Sequence, residues 1–128
     1  MKKLEHLNEV LQITELRYHL SCLLANGLSD HCGICGVDYN ESYYTDAENE
    51  LLEIGFSNDD ICHEDIQAQM LLDGRSIKLL DEEGEWHDLT LPSIVGQNID
   101  WKELEDNGDF YDNNAILQTA IFGEVIYG

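Results

Sequence analysis

The chain has 128 residues and a formal net charge of −21, with 27 acids against 6 bases. Its length suits one domain with its own core, and a hydrophobic content of 43% sets it outside the disordered acidic class. The charge excludes direct binding to nucleic acid or to an anionic membrane, since both are polyanions.

The opening segment MKKLEHLNEV carries two lysines, but Glu5, His6 and Asn8 interrupt the apolar run that a secretory leader needs. The longest mainly apolar stretch, near the C-terminus, is too short and too polar to span a bilayer. Four cysteines without a leader point to reduced thiols and a cytoplasmic setting. Leu4, Leu7 and Leu11, then Leu16, Leu20 and Leu23 or Leu24, recur at helical spacing and predict a helix over about 3–26. Thr14 is placed to cap a second helix within it, and Gly27 supplies a stop.

Residues 28–44 read as a loop holding a cysteine pair and three tyrosines. Thr45 and Glu48 form a capping box that predicts a helix over 46–54, closed by Gly55. On it, Ala47, Leu51 and Ile54 fall on one side, and Asp46, Glu50 and Glu53 form a stripe on another. Ser57-Asn-Asp-Asp60 predicts a further helix over 58–72, ended by Gly74. Ile66, Ala68, Met70 and Leu72 also alternate at strand period, and propensity decides for helix. Residues 76–91 read as a hairpin: Ile77 and Leu79 alternate, Glu83-Gly84 turns, Trp86 and Leu89 follow, and Pro92 ends it. Asp100 and Glu103 predict a short helix over 101–106, stopped by Asn107-Gly108. Leu117, Ile121 and Val125 predict a last helix over 113–126, buried rather than displayed for docking. The pattern as a whole is α+β: a mainly helical single domain with a small antiparallel β-hairpin or sheet.

Cys32-Gly-Ile-Cys35-Gly36 has the spacing of a zinc knuckle. A full site needs four ligands, and no second such pair exists. Cys62 and His63 are the nearest candidates to complete Cys32 and Cys35, with Cys22 or His31 as substitutes, so zinc stays open as a cofactor. A redox pair requires its first cysteine at a helix N-terminus after a buried strand, and here a helix and a polar loop precede it. Small structural thiols are the plainer reading. Enzyme signatures are thin: His63, Glu64 and Asp65 face different ways in any regular element, and His6, His19 and His87 read as isolated face residues. No phosphate loop, nucleophile elbow or H-E-x-x-H pattern occurs. The expectation is a protein without catalytic residues.

The acids are the strongest signal. Between Arg17 and Arg75 there is no base, yet twelve acids fall there; after Lys102 six more follow. Carboxylates three or four residues apart on a helix lie about 5–6 Å from each other, a spacing that approximates phosphates along a strand. The residues expected to meet a partner are Asp38, Tyr39, Glu41, Tyr43, Tyr44, Asp46, Glu50, Glu53, Asp59 and Asp60. Acids there supply a phosphate-like field, and tyrosines supply rigid contact area and a stacking face for arginine. The leading expectation is a nucleic-acid mimic that occupies the basic groove of a DNA- or RNA-binding protein. In size, charge and lack of motif the chain resembles phage- or plasmid-borne anti-restriction and anti-CRISPR inhibitors, though it carries no family motif. The alternatives are an immunity- or antitoxin-like protein neutralising a basic toxin enzyme, a small zinc-binding domain, and an acid-rich domain whose charge serves solubility in salt.

Overall fold

The computed structural model describes residues 2–28 and 33–128; in the first helix it describes the side chains of residue 9 and of residues 11 onward. Helix α1 (Lys2–Gly27) runs 26 residues with no break at Thr14. Strand β1 (Gly36–Asp38) follows, then helices α2 (Glu41–Glu53) and α3 (His63–Leu72), and strands β2 (Ile77–Leu80) and β3 (Trp86–Leu89). Three more helices complete the described chain: α4 (Leu91–Val95), α5 (Trp101–Asn107) and α6 (Phe110–Phe122). The strands form one antiparallel sheet in the order β1-β2-β3. The architecture is the expected mainly helical α+β one.

Among the described side chains of α1, burial begins at Leu16. Leu20, Leu23 and Leu24 are fully buried and pack against α3 and α6, whereas Glu9 and residues 11–15 are all exposed. Each buried leucine contributes about 1.5–3 kcal/mol by leaving water. Ala47 and Leu51 of α2, Ile66 and Met70 of α3, Ile77 and Leu79 of β2 and Leu117 of α6 join the same core. Gly27 matters here for room, not for a reversed backbone. A side chain there would meet Leu117 at 2.6 Å, and the carbonyl of Gly27 accepts a 3.0 Å hydrogen bond from Asn114 of α6.

Several boundaries differ from the sequence expectation. Helix α2 begins at residue 41 rather than 46, because Asn40 caps it by accepting from the Tyr43 amide at 3.2 Å. Tyr39 and Tyr44 then stack at 4.6 Å across the first turn, so tertiary contact overrides the poor helix propensity of the tyrosines. Residues 57–60 form a turn, with the Asp60 amide bonded to the Ser57 carbonyl, and α3 starts only at His63. Asp65 closes that start by accepting from the Cys62 amide at 3.1 Å. The stretch 66–72 is helix, as propensity decided. Part of the loop 28–44 is the strand β1, whose three residues pair with β2. Pro92 does not merely end the hairpin. It sits in the first turn of α4, a favourable place for a residue lacking an amide hydrogen.

The last helix starts at Phe110 and stops at Phe122, short of residue 126, because Gly123 takes φ 82° and reverses the chain. The returning tail packs its Tyr127 ring against Phe122, and one side chain supplies several of its hydrogen bonds. Gln118, 1% exposed, accepts from the amides of Ile126 and Tyr127 at 2.9 Å each and donates to the Tyr127 carbonyl at 2.9 Å and to Asn114 at 2.7 Å.

Candidate acidic binding surface

Helix α2 carries the expected acids, and its neighbours divide them into two kinds. Asp46 and Glu53 are exposed and, like Asp59 and Asp60 in the following turn, enter no ion pair among the described residues. Glu50 instead turns toward α3. It accepts from Gln69 Nε2 at 3.0 Å, and the same amide donates to Asp73 at 2.9 Å. Gln69 Oε1 in turn accepts from Arg17 Nε at 2.8 Å, so one buried arginine on α1 is tied through one glutamine to two carboxylates. Burial, then the adjacent Asp73, pushes the Glu50 carboxyl above its ordinary value of 4.5, while Gln69 opposes the shift. Burial lowers Arg17, against the pull of Asp65, Asp73 and Glu50.

The tyrosines are engaged from within. Tyr44 stacks on Tyr39 and its hydroxyl hydrogen-bonds His63 Nδ1, while burial and then Tyr39 push its phenol above the ordinary value of 10.0. Tyr43 already holds a cation: the Arg75 guanidinium lies 3.9 Å from its ring centroid. The stacking face expected for a partner's arginine is therefore occupied, on one side, by the chain's own. Asp38, Tyr39 and Tyr43 line a shallow groove of about 310 Å³ together with Lys78. Lys78 sits between two acids on neighbouring strands, opposite Asp38 and 3.6 Å from Asp88. Glu41 is exposed at the start of α2. The surface around Asp38 and Tyr43 is thus locally compensated, and the uncompensated charge lies at Asp46, Glu53, Asp59 and Asp60.

A second acidic region was not singled out from sequence. Helix α5 and the start of α6 expose Asp100, Glu103, Glu105, Asp106, Asp109 and Asp112, against which Lys102 pairs with Asp106 alone at 3.2 Å. Asp100, Glu103 and Asp112 line an open cleft of about 430 Å³ over Leu104 and Ile116. Two caps on adjacent helices crowd these acids: Asp100 accepts from the Glu103 amide and Asp109 from that of Asp112. Cap spacing was the signal that could have found them.

Of the cysteine ligand set, Cys32 lies outside the described residues, as does His31. Cys35 is exposed, its amide bonded to the Leu80 carbonyl at 2.7 Å. Cys62 is exposed at the α3 cap and His63 is engaged by Tyr44. Cys22 is half-buried in a cleft of about 190 Å³ beside Tyr18 and Trp101; the Tyr18 phenol is pushed up to about 12, first by its bond to Cys22 and then by Glu105. Among the described residues, the three ligand-type side chains brought within 4.8 Å of one another are Asp81, Glu85 and His87.

That trio sits at the β2–β3 turn. Asp81 Oδ1 accepts from the amides of Glu83 and Glu85 at 2.8 and 2.9 Å, and Oδ2 accepts from His87 Nε2 at 2.8 Å. His87, with the amides helping, holds the Asp81 carboxyl below its ordinary value of 3.8. His87 is therefore not isolated; it braces a turn whose position the sequence did reveal. Of the other two histidines read as isolated, His19 stacks on Trp101 at 5.2 Å, and the side chain of His6 lies outside the described ones. No helix among the described residues is long and apolar enough to cross a membrane. Compared with protein-family models, curated proteins and solved structures, the chain matches none.

Proposed function

We propose that the protein is a non-enzymatic acidic binding protein that occupies the basic groove of a nucleic-acid-binding protein, an inhibitor of the anti-restriction or anti-CRISPR kind. One observation carries the reading: among the described residues the exposed carboxylates on α2, its following turn, α5 and the start of α6 enter no ion pair except Asp106 with Lys102, the other pairs, Lys78–Asp88 and His87–Asp81, lying on the sheet and its turn. Such a field draws a lysine- and arginine-lined groove quickly and repels nucleic acid itself. The tyrosines contribute by holding the α2 start rigid rather than by offering their faces.

The test is capture from a lysate of the native host, followed by elution with duplex DNA. A retained nucleic-acid-handling protein that DNA displaces, and that a variant carrying Asp46→Lys, Glu53→Lys and Asp59→Lys no longer retains, supports the reading. A partner indifferent to DNA, or one held equally well by the charge-reversed variant, refutes it.

A further inference from the structure

An apolar groove opens between residues 13–17 of α1 and the end of α2. Ile13 is 47% exposed and Ile54 is 60% exposed. Between them, Thr14, Arg17 and half-buried Phe56 complete a groove of about 370 Å³. It shares Ile13 with a second hollow of about 320 Å³ that runs past Leu16 to Glu9. The core takes Leu20, Leu23 and Leu24, with Leu16 and Phe56 packed against it, but leaves Ile13 and Ile54 largely in water.

The charge around the groove specifies what can fill it. Arg17 is the base among its lining residues, yet it is 7% exposed, turned onto Gln69, and lies 5.9 Å from the Phe56 ring centroid. Three carboxylates, Asp65, Asp73 and Glu50, act on that one guanidinium. Glu9 lines the adjoining hollow beyond Ile13, and exposed Glu53 precedes Ile54 at the other side. A second copy of the chain would bring another −21 charges to this face, so self-association is opposed.

We infer that the groove takes a cationic amphipathic helix of the partner. Apolar side chains spaced one turn apart seat on Ile13, Ile54 and Phe56, while flanking lysines or arginines meet Glu9 and Glu53. Charge speeds the encounter and the apolar anchors set the residence time. This inference rests on the proposed acidic binding role and gives the partner's contact element a form.

The experiment titrates the full chain with a synthetic helical peptide of leucine and lysine in amphipathic order, and with a peptide of the same composition in scrambled order. The amphipathic peptide is expected to bind at least tenfold more tightly. Ile13→Ser together with Ile54→Ser should erase that preference while leaving the weaker scrambled-peptide affinity and the melting temperature unchanged, because both isoleucines lie outside the core. Equal affinity for the two peptides, or a double variant that keeps the preference, overturns the groove assignment. If both peptides still bind at low salt in that case, the acidic reading survives and the groove alone falls; if neither binds, both fall. A dimer in sedimentation that the double variant dissolves would make a second copy the occupant, and would equally overturn the inference.

Discussion

Gln118 does the work of a strand partner with a single amide. Its oxygen takes two tail amides and its nitrogen bridges the Tyr127 carbonyl and Asn114. Gln118→Ala should cost about 2 kcal/mol, because the polar groups it leaves are at least partly shut off from water. Urea unfolding would show this as a lower midpoint with an unchanged slope. Asp81 acts similarly on its turn, and here pH is the probe. Since its folded-state pKa lies below the ordinary 3.8, its contribution is present above that value and disappears as pH falls through the depressed one. His87→Phe removes the leading cause of the depression, so the acid-unfolding limb should move to higher pH. Neither residue was legible as a fastener. A side-chain amide serving a chain segment eight or nine residues on leaves no periodic trace, and an Asp–His contact needs the hairpin register before it can be seen.

At the scale of elements, the join between α1, α2 and α3 runs through Arg17, Gln69, Glu50 and Asp73. Arg17→Met should destabilise by about 2 kcal/mol, the worth of a hydrogen bond made by a charged group, in the same urea assay. Glu50 works in the opposite sense. Its folded-state pKa is raised above 4.5, so the burden it places on folding is absent below that value and grows as pH rises through the raised one. Glu50→Gln should therefore stabilise at pH 7, by less than about 1 kcal/mol given its partial exposure, and give no gain at pH 4. Equal melting-temperature shifts at both pH values would contradict this. The acidic stripe was legible as helical spacing on α2, but which of its acids faced inward depended on where α3 crosses. The helix start was legible where Asp100 caps α5, and misplaced at α2, α3 and α6, which Asn40, Cys62 and Asp109 cap. The alternative cap at Thr45 has the right local pattern, and the Asn40 cap together with the stacking of Tyr39 on Tyr44 decides against it.

For the whole molecule, charge remains the governing quantity. Screening shortens the reach of carboxylate repulsion, so the melting temperature should rise with sodium chloride up to several hundred millimolar, and partner association should slow over the same range. A flat melting profile would mean that the acids are compensated locally, as they are around Lys78. That total was plain in the composition; its division into a compensated β-sheet face and two uncompensated helical regions needed the fold. The closure of α1 by α6 also sets an order of events. The helix at the beginning of the described chain has its terminal carbonyl satisfied by Asn114 and its tightest neighbour in Leu117, 87 and 90 positions later. A ribosome must extrude the chain as far as residue 117 before those contacts exist, and until then Leu20, Leu23 and Leu24 lack part of their cover. Synthesis speed and early chaperone capture, rather than the finished structure's stability, would then decide how much protein a cell recovers.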